Sequence, residues 1–123
     1  MKYVRIMTPS RKTSYGILED KTITLMDGSP FDKPFMLLSE HYDISEVKLL
    51  PPGEYTKAIC IGLNYRDHAE EFGLPIPETP VVFMKPSTAA AAQNEDIIYP
   101  EMCHRLDYEA ELAVVIGREC KDV

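Results

Sequence analysis

Residues 57–86 read KAICIGLNYRDHAEEFGLPIPETPVVFMKP, and this stretch decides the fold class. The apolar run at Lys57–Gly62 is typical of a buried strand, and Val81–Lys85 predicts a second one. Between them, Tyr65–Phe72 predicts a short helix, whereas Gly73–Pro80 predicts a loop because prolines recur in it. The pattern indicates an α+β, mostly β architecture with little helix.

The first fifty residues predict a small β module. Apolar runs separated by turn residues indicate strands at Tyr3–Met7, Tyr15–Glu19 and Thr22–Met26, the last two joined by a tight connection. The residues that follow, up to Val47, have no clean period, and we expect a short helix or an irregular connection there. Two prolines and a glycine at Leu49–Gly53 forbid continued regular structure and predict a module boundary.

Composition restricts the classes of protein and partner. The 123 residues suffice for about one average domain. Thirteen Lys and Arg against 20 Asp and Glu give a net charge of −7, which repels phosphate backbones and anionic membranes, so neither partner is expected. Three cysteines without C-x-x-C spacing fit a reducing compartment rather than a disulfide framework or a zinc site. With no secretory signal or apolar run of about 18 residues, we expect a soluble, cytoplasmic protein.

A further strand is predicted at Asp107–Gly117, where alternation places Glu109 and Glu111 on one face. Two residues of rise separate them by roughly 6.6 Å, so both carboxylates can converge on one hard cation such as Mg²⁺ or Mn²⁺. The alternative is a solvated strand face that carries two acids. Ala113 and Val115 share this face and make it more apolar than a purely solvated one. The opposite face is apolar and consists of Tyr108, Ala110, Leu112, Val114 and Ile116.

Two more sets of residues are candidates for chemistry. His68 and Glu71 stand three apart in the predicted helix, a spacing that brings a carboxylate beside an imidazole and makes it a stronger base for activating water. The alternative is a surface helix on which the two side chains only touch. Lys85 ends an apolar strand, where its ammonium can meet an anionic ligand or can simply face solvent.

These segments together resemble the fumarylacetoacetate hydrolase family. Three motifs occur in the family's order: G-x-N-Y-x-x-H-x-x-E at 62–71, P-x-x-P-x-x-F-x-K at 77–85 and D-Y-E-x-E-L at 107–112. The first fifty residues resemble, more weakly, the N-terminal β module of bacterial members related to 2-hydroxyhepta-2,4-diene-1,7-dioate isomerase. The resemblance implies a small N-terminal β module at 1–53, followed at 54–123 by the truncated N-terminal portion of a catalytic domain with a mixed β roll.

The resemblance also implies roles for individual residues. Glu109 and Glu111 would be two of three carboxylates that hold a divalent metal, usually Mg²⁺, with Mn²⁺ or Ca²⁺ as alternatives. The third is an aspartate on a later strand, and no residue of this chain matches it. His68 and Glu71 would form a dyad on a mobile lid, and Lys85 would bind the anionic or enolate group of the substrate.

The activity implied by the resemblance is metal-dependent hydrolysis of a carbon–carbon bond in a small anionic oxo acid of the acylpyruvate type, by a homodimer. Decarboxylation or isomerisation of related diacids uses the same groups and stays open. A non-catalytic chain that associates with a partner is the other class of function, and the absent third carboxylate favours it.

Overall fold

A computed structural model describes residues 1–32 and 34–123. The chain divides into two compact units, Met1–Gly53 with Ala91–Val123, and Glu54–Ala90.

The first unit contains a five-stranded sheet. Its strands are β1 (Lys2–Met7), β2 (Thr13–Glu19), β3 (Thr22–Met26), β4 (Leu37–Asp43) and β5 (Lys48–Leu50). They lie in the order β4-β3-β2-β1-β5, and all neighbours are antiparallel. The three strands predicted in this region are confirmed, because turn residues bound each of them. The β2–β3 hairpin closes where Glu19 pairs with Thr22, and Asp20 there adopts a φ of 52°.

The segment up to Val47 was expected to be a short helix or an irregular connection, and that expectation was wrong in part. A single 3₁₀ turn lies at Ile44–Glu46, but strand β4 precedes it. Strand β4 is a sheet edge that leaves every side chain exposed except Tyr42, which is half-buried opposite Ile23. An edge strand of this kind shows no alternation of apolar and polar residues, so the sequence pattern does not reveal it.

The core lies on one face of the sheet. Ile6 of strand β1 is buried there together with Ile23 and Leu25 of strand β3. Gly16 of β2 lies among them, and a Cβ atom on it would come within 2.6 Å of the Cγ2 atom of Ile23. The close approach of strands β2 and β3 therefore requires a residue without a side chain at this position.

Residues 91–123 of the same unit contain no strand, so the strand predicted at Asp107–Gly117 is wrong. A strand is stabilised by the ladder it forms with a neighbouring strand, and neither sheet of the described residues includes this segment. The apolar side chains that the prediction placed on one face are consequently exposed, with Tyr108 at 98% and Leu112 at 84%.

The second unit is a two-stranded antiparallel sheet with one helix between its strands. Strand β6 is Lys57–Gly62, helix α1 is Arg66–Glu71 and strand β7 is Val81–Pro86, followed by a 3₁₀ turn at Ser87–Ala89. The predicted strand–helix–loop–strand order is confirmed, and β7 is one residue longer than predicted. The fold class is confirmed as well, since the chain is mostly β, with few helices and open sheets.

Candidate functional site

Helix α1 presents His68 and Glu71 one turn apart, as the spacing predicts. The helix begins after Tyr65 and ends where Gly73 adopts a φ of 63°. The amide of Gly73 donates to the carbonyl of residue 70 at 3.0 Å, and the amide of Leu74 donates to the carbonyl of residue 69 at 2.9 Å. This pair of bonds is a Schellman motif, which needs a left-handed residue at its turn, so glycine fixes the end of the helix.

The imidazole of His68 has an aromatic neighbour. It is half-buried, and its ring centroid lies 5.1 Å from that of Phe72 at an interplanar angle of 47°. The carboxylate of Glu71 is exposed to solvent. An imidazole that contacts an aromatic ring on one side and solvent on the other can exchange protons with water while keeping a defined orientation.

Phe72 was not predicted as part of this site. It follows His68 by four residues, the spacing at which side chains on a helix lie one above the other. That spacing is the signal by which the sequence could have indicated it.

Lys85 lies inside strand β7, opposite Ala58 of strand β6. It was expected at the end of its strand, but β7 continues through Pro86. The ammonium nitrogen of Lys85 lies 5.9 Å from the ring centroid of Phe83, at the outer limit of a cation–π contact. The side chain is exposed, so its charge remains accessible to an anionic ligand.

Glu109 and Glu111 belong to the other unit, and both are exposed. Two carboxylates are hard oxygen donors of the kind that Mg²⁺ and Ca²⁺ prefer. Within the described part of the chain, however, no three acidic, histidine or cysteine residues form a group that could hold a metal ion. The two glutamates therefore fit a divalent cation as part of its donor set, and their role as ligands stays a prediction.

An ion pair anchors the residues that precede these glutamates. The ammonium of Lys48 on strand β5 donates to the carboxylate of Glu95, which also accepts the amide of Ala92 at 2.6 Å. The hydrogen bond from Lys48 is the main reason that the pKa of Glu95 lies below its usual value. The partners are 47 residues apart in the chain, so no local pattern indicates the pair.

Comparison with known proteins gives two matches along the chain. The profile described as fumarylacetoacetate (FAA) hydrolase C-terminal matches residues 57–123, more than half of the chain. The chain belongs to the fumarylacetoacetate hydrolase family. Residues 1–52 match a second profile, described as Rv2993c-like, N-terminal. The assignment of separate domains to 1–53 and 54–123, and of the individual site residues, stays a prediction.

Three relatives illustrate the likeness. An uncharacterized protein of Archaeoglobus fulgidus is 49% identical over 72% of this chain and 36% of its own length. The fumarylacetoacetate hydrolase domain-containing protein 2 homolog of Dictyostelium discoideum is 46% identical over 65% of this chain and 26% of its length. The crystal structure of 2-hydroxyhepta-2,4-diene-1,7-dioate isomerase from Mycobacterium marinum is 26% identical, with a TM-score of 0.55 over 72% of this chain and 33% of that one.

The chain thus spans between 26% and 36% of the length of these relatives. The Dictyostelium discoideum relative is named for a hydrolase domain, and the Mycobacterium marinum relative is named an isomerase. No helix in the described residues has the length and apolar character that crossing a membrane requires.

Proposed function

We propose that this protein is a divalent-metal-dependent enzyme that hydrolyses a carbon–carbon bond in a 2-oxo acid of the acylpyruvate type. The observation that carries the proposal is helix α1, which lies inside the stretch matched by the family profile and presents His68 and Glu71 one turn apart. Within that stretch, these are the histidine and the carboxylate of the motif G-x-N-Y-x-x-H-x-x-E.

In this proposal His68 takes a proton from water, and Glu71 supports the cationic imidazole that results. The hydroxide joins the acyl carbon, the bond from that carbon to the neighbouring methylene carbon breaks, and its electron pair leaves as the enolate of the 2-oxo acid. The proton taken up by His68 then passes to the methylene carbon, which completes the reaction and returns the imidazole to its neutral form. Lys85 binds the anionic carboxylate of the substrate.

Glu109 and Glu111 would hold the cation together with a third carboxylate. When bound, a divalent cation supplies Lewis-acid stabilisation of the negative charge that develops on an enolate oxygen.

The metal ligands and the catalytic base of this proposal can be tested separately in the intact protein. A ligand that binds only the folded state stabilises it by mass action, so added Mg²⁺ or Mn²⁺ should raise the melting temperature. The double variant Glu109→Gln, Glu111→Gln should abolish that increase. A double variant that responds to the cation like the parent protein would contradict the ligand assignment.

A second experiment tests His68 as the base. His68→Ala should lower acylpyruvate turnover roughly 10²- to 10⁴-fold and leave the cation response unchanged. The matched control is His41→Ala, which removes an exposed histidine that hydrogen-bonds to Thr24 in the other unit. Near-normal turnover in His68→Ala would remove this residue from the mechanism.

A second reaction type has support from the Mycobacterium marinum relative, which is named an isomerase of a 2-hydroxydienoate diacid. Decarboxylation and isomerisation also proceed through an enolate, so the same residues can serve them. Product analysis distinguishes the three reactions, because hydrolysis yields two acids, decarboxylation releases CO₂ and isomerisation conserves the molecular mass.

A non-catalytic association is the rival class of function. The exposed apolar side chains of residues 108–116 support it, because large apolar patches on soluble proteins mark contact surfaces. The same patch supports our proposal that the protein is a homodimer. Light scattering of residues 1–123 should show an associated species, and a monomeric solution would contradict both proposals of association.

A further inference from the structure

Leu63 adopts an unusual backbone conformation between strand β6 and helix α1. Its φ is 53°, in the left-handed region that L residues with large side chains avoid. Four other described non-glycine residues share a positive φ, and they are an arginine, two aspartates and an asparagine. Leu63 is thus the one aliphatic residue of this set, and it lies five residues before His68.

The elements on either side leave Leu63 little room to relax. Gly62 is still paired with Val81 at the last position of the β6–β7 ladder. Tyr65 occupies the N-cap position of helix α1, so Leu63 and Asn64 make the whole connection. A chain that must turn from a strand into a helix within two residues is confined to few backbone conformations.

Packing alone does not fix the direction of the helix. Of the residues of α1, one alone is fully buried, Ala69, at 0% exposure. The far end of the helix turns at Gly73, for which a left-handed conformation carries no steric cost. The strained end at Leu63, rather than the relaxed end, is therefore where the direction of α1 is set.

We propose that Leu63 is a positioning residue, whose left-handed conformation at the junction of β6 and α1 holds the helix in the direction that presents His68. The proposal rests on the proposed function for its effect on turnover, but not for its effect on the order of α1. The side chain of Leu63 is half-buried, which keeps the junction in one conformation where glycine would sample several.

The test compares two substitutions at this position in the intact protein. Leu63→Gly relieves the steric conflict but frees the backbone, so we expect kcat to fall about tenfold or more with KM within twofold. Thermal stability should stay within about 3 °C of the parent protein, because relief of strain offsets the added chain entropy. Leu63→Asn introduces a residue that has a side chain and tolerates positive φ, so its kcat should lie within about threefold of the parent value.

Arg11→Gly is the matched control. Arg11 has a φ of 62° in the turn between strands β1 and β2, so the substitution repeats the backbone change in the other unit. It should leave kcat unchanged. Equal losses of kcat in Leu63→Gly and Arg11→Gly, a fall in thermal stability that accounts for the lost activity, or failure of Leu63→Asn to restore kcat would each overturn the proposal.

Hydrogen exchange supplies a readout that does not depend on catalysis. The amide of Ala69 donates to the carbonyl of Tyr65 at 3.2 Å in the first turn of α1. Leu63→Gly should speed exchange of this amide about tenfold and leave strand β6 unchanged, and unchanged exchange at Ala69 would overturn the proposal. If His68→Ala retains turnover while exchange responds as expected, the proposed function fails and the positioning of α1 by Leu63 stands.

Discussion

Substitution of Gly16 by alanine provides a quantitative test of the sheet in the first unit. A Cβ atom at this position would lie 2.6 Å from the Cγ2 atom of Ile23 and 2.8 Å from the carbonyl oxygen of Thr24. Ordinary van der Waals contact begins at 3.4 Å, so the two contacts are short by 3.4 − 2.6 = 0.8 Å and 3.4 − 2.8 = 0.6 Å. Neither neighbour yields easily, since Ile23 is fully buried and the Thr24 oxygen belongs to the backbone of strand β3.

The expected loss of stability follows from two opposing effects. Overpacking of a well-packed core costs about 1–3 kcal/mol. Replacing glycine by alanine within a strand returns about 0.5–1 kcal/mol of backbone entropy. The middle of each range gives a net destabilisation of about 1 kcal/mol for Gly16→Ala, or a melting temperature lower by roughly 4–8 °C in a unit of this size.

Gly28→Ala is the matched control, because a Cβ atom there would meet nothing within 4 Å and Gly28 has no positive φ. Thermal and urea unfolding followed by circular dichroism should place Gly28→Ala at or slightly above the parent protein. Gly16→Val should be less stable than Gly16→Ala, since it adds two methyl groups to the same contacts. If Gly16→Ala unfolds together with Gly28→Ala, the close approach of strands β2 and β3 is not as described.

Three further outcomes are expected. Hydrogen bonds from the side chain and amide of Ser45 lower the pKa of Asp43, so this contribution to stability is present above about pH 4 and is lost as the pH falls through the native pKa. Ser45→Ala should therefore reduce the loss of stability on acidification, measured by urea unfolding from pH 6 to 2, and an unchanged profile would contradict this. Lys48→Met should raise the pKa of Glu95 toward its usual value, as NMR titration can show, because the lysine hydrogen bond is the largest cause of its depression. Gly73→Ala should speed amide exchange in the last turn of α1 despite open space around it, because its φ of 63° strains alanine, and parental exchange rates would refute that account.

Elements with local determinants could be predicted from the sequence. Strands Thr22–Met26 and Lys57–Gly62 have the predicted bounds, because turn residues or a proline-rich stretch delimit an apolar run in each case. Helix α1 also lies within its predicted range, and Gly73 marks its end through a conformation that glycine favours. In each case the information lies within about ten residues of the element.

Elements that depend on distant partners could not be predicted in the same way. Strand β5 is three residues long, and Lys48 pairs with Met7, which lies 48 − 7 = 41 positions earlier in the chain. The contact of Lys48 with Glu95 is equally remote. The residues adjacent to Lys48 in the sequence do not indicate either contact. Strand pairing across such a distance depends on the order of the strands in the sheet rather than on neighbouring residues.

The strand predicted at 107–117 shows the limit of period-two alternation as evidence. Alternation predicts which side chains share a face once a ladder has formed, but it supplies no hydrogen-bond partner. Residues 107–117 belong to neither of the two sheets that the described residues form. The pairing of Glu109 with Glu111 on one face is thus conditional on a neighbouring strand, whereas the spacing of His68 and Glu71 is not.

This difference distinguishes the two groups of candidate residues. The helix of His68 is held by backbone hydrogen bonds between residues 65 and 74, so its geometry is a property of a short stretch of sequence. Two carboxylates two residues apart bind a cation well only when the strand that carries them is held in register, since metal affinity depends on ligand number and rigidity. The geometry on which the proposed base catalysis by His68 depends therefore lies within the second unit, whereas the proposed cation binding by Glu109 and Glu111 requires a ladder partner and a third oxygen ligand.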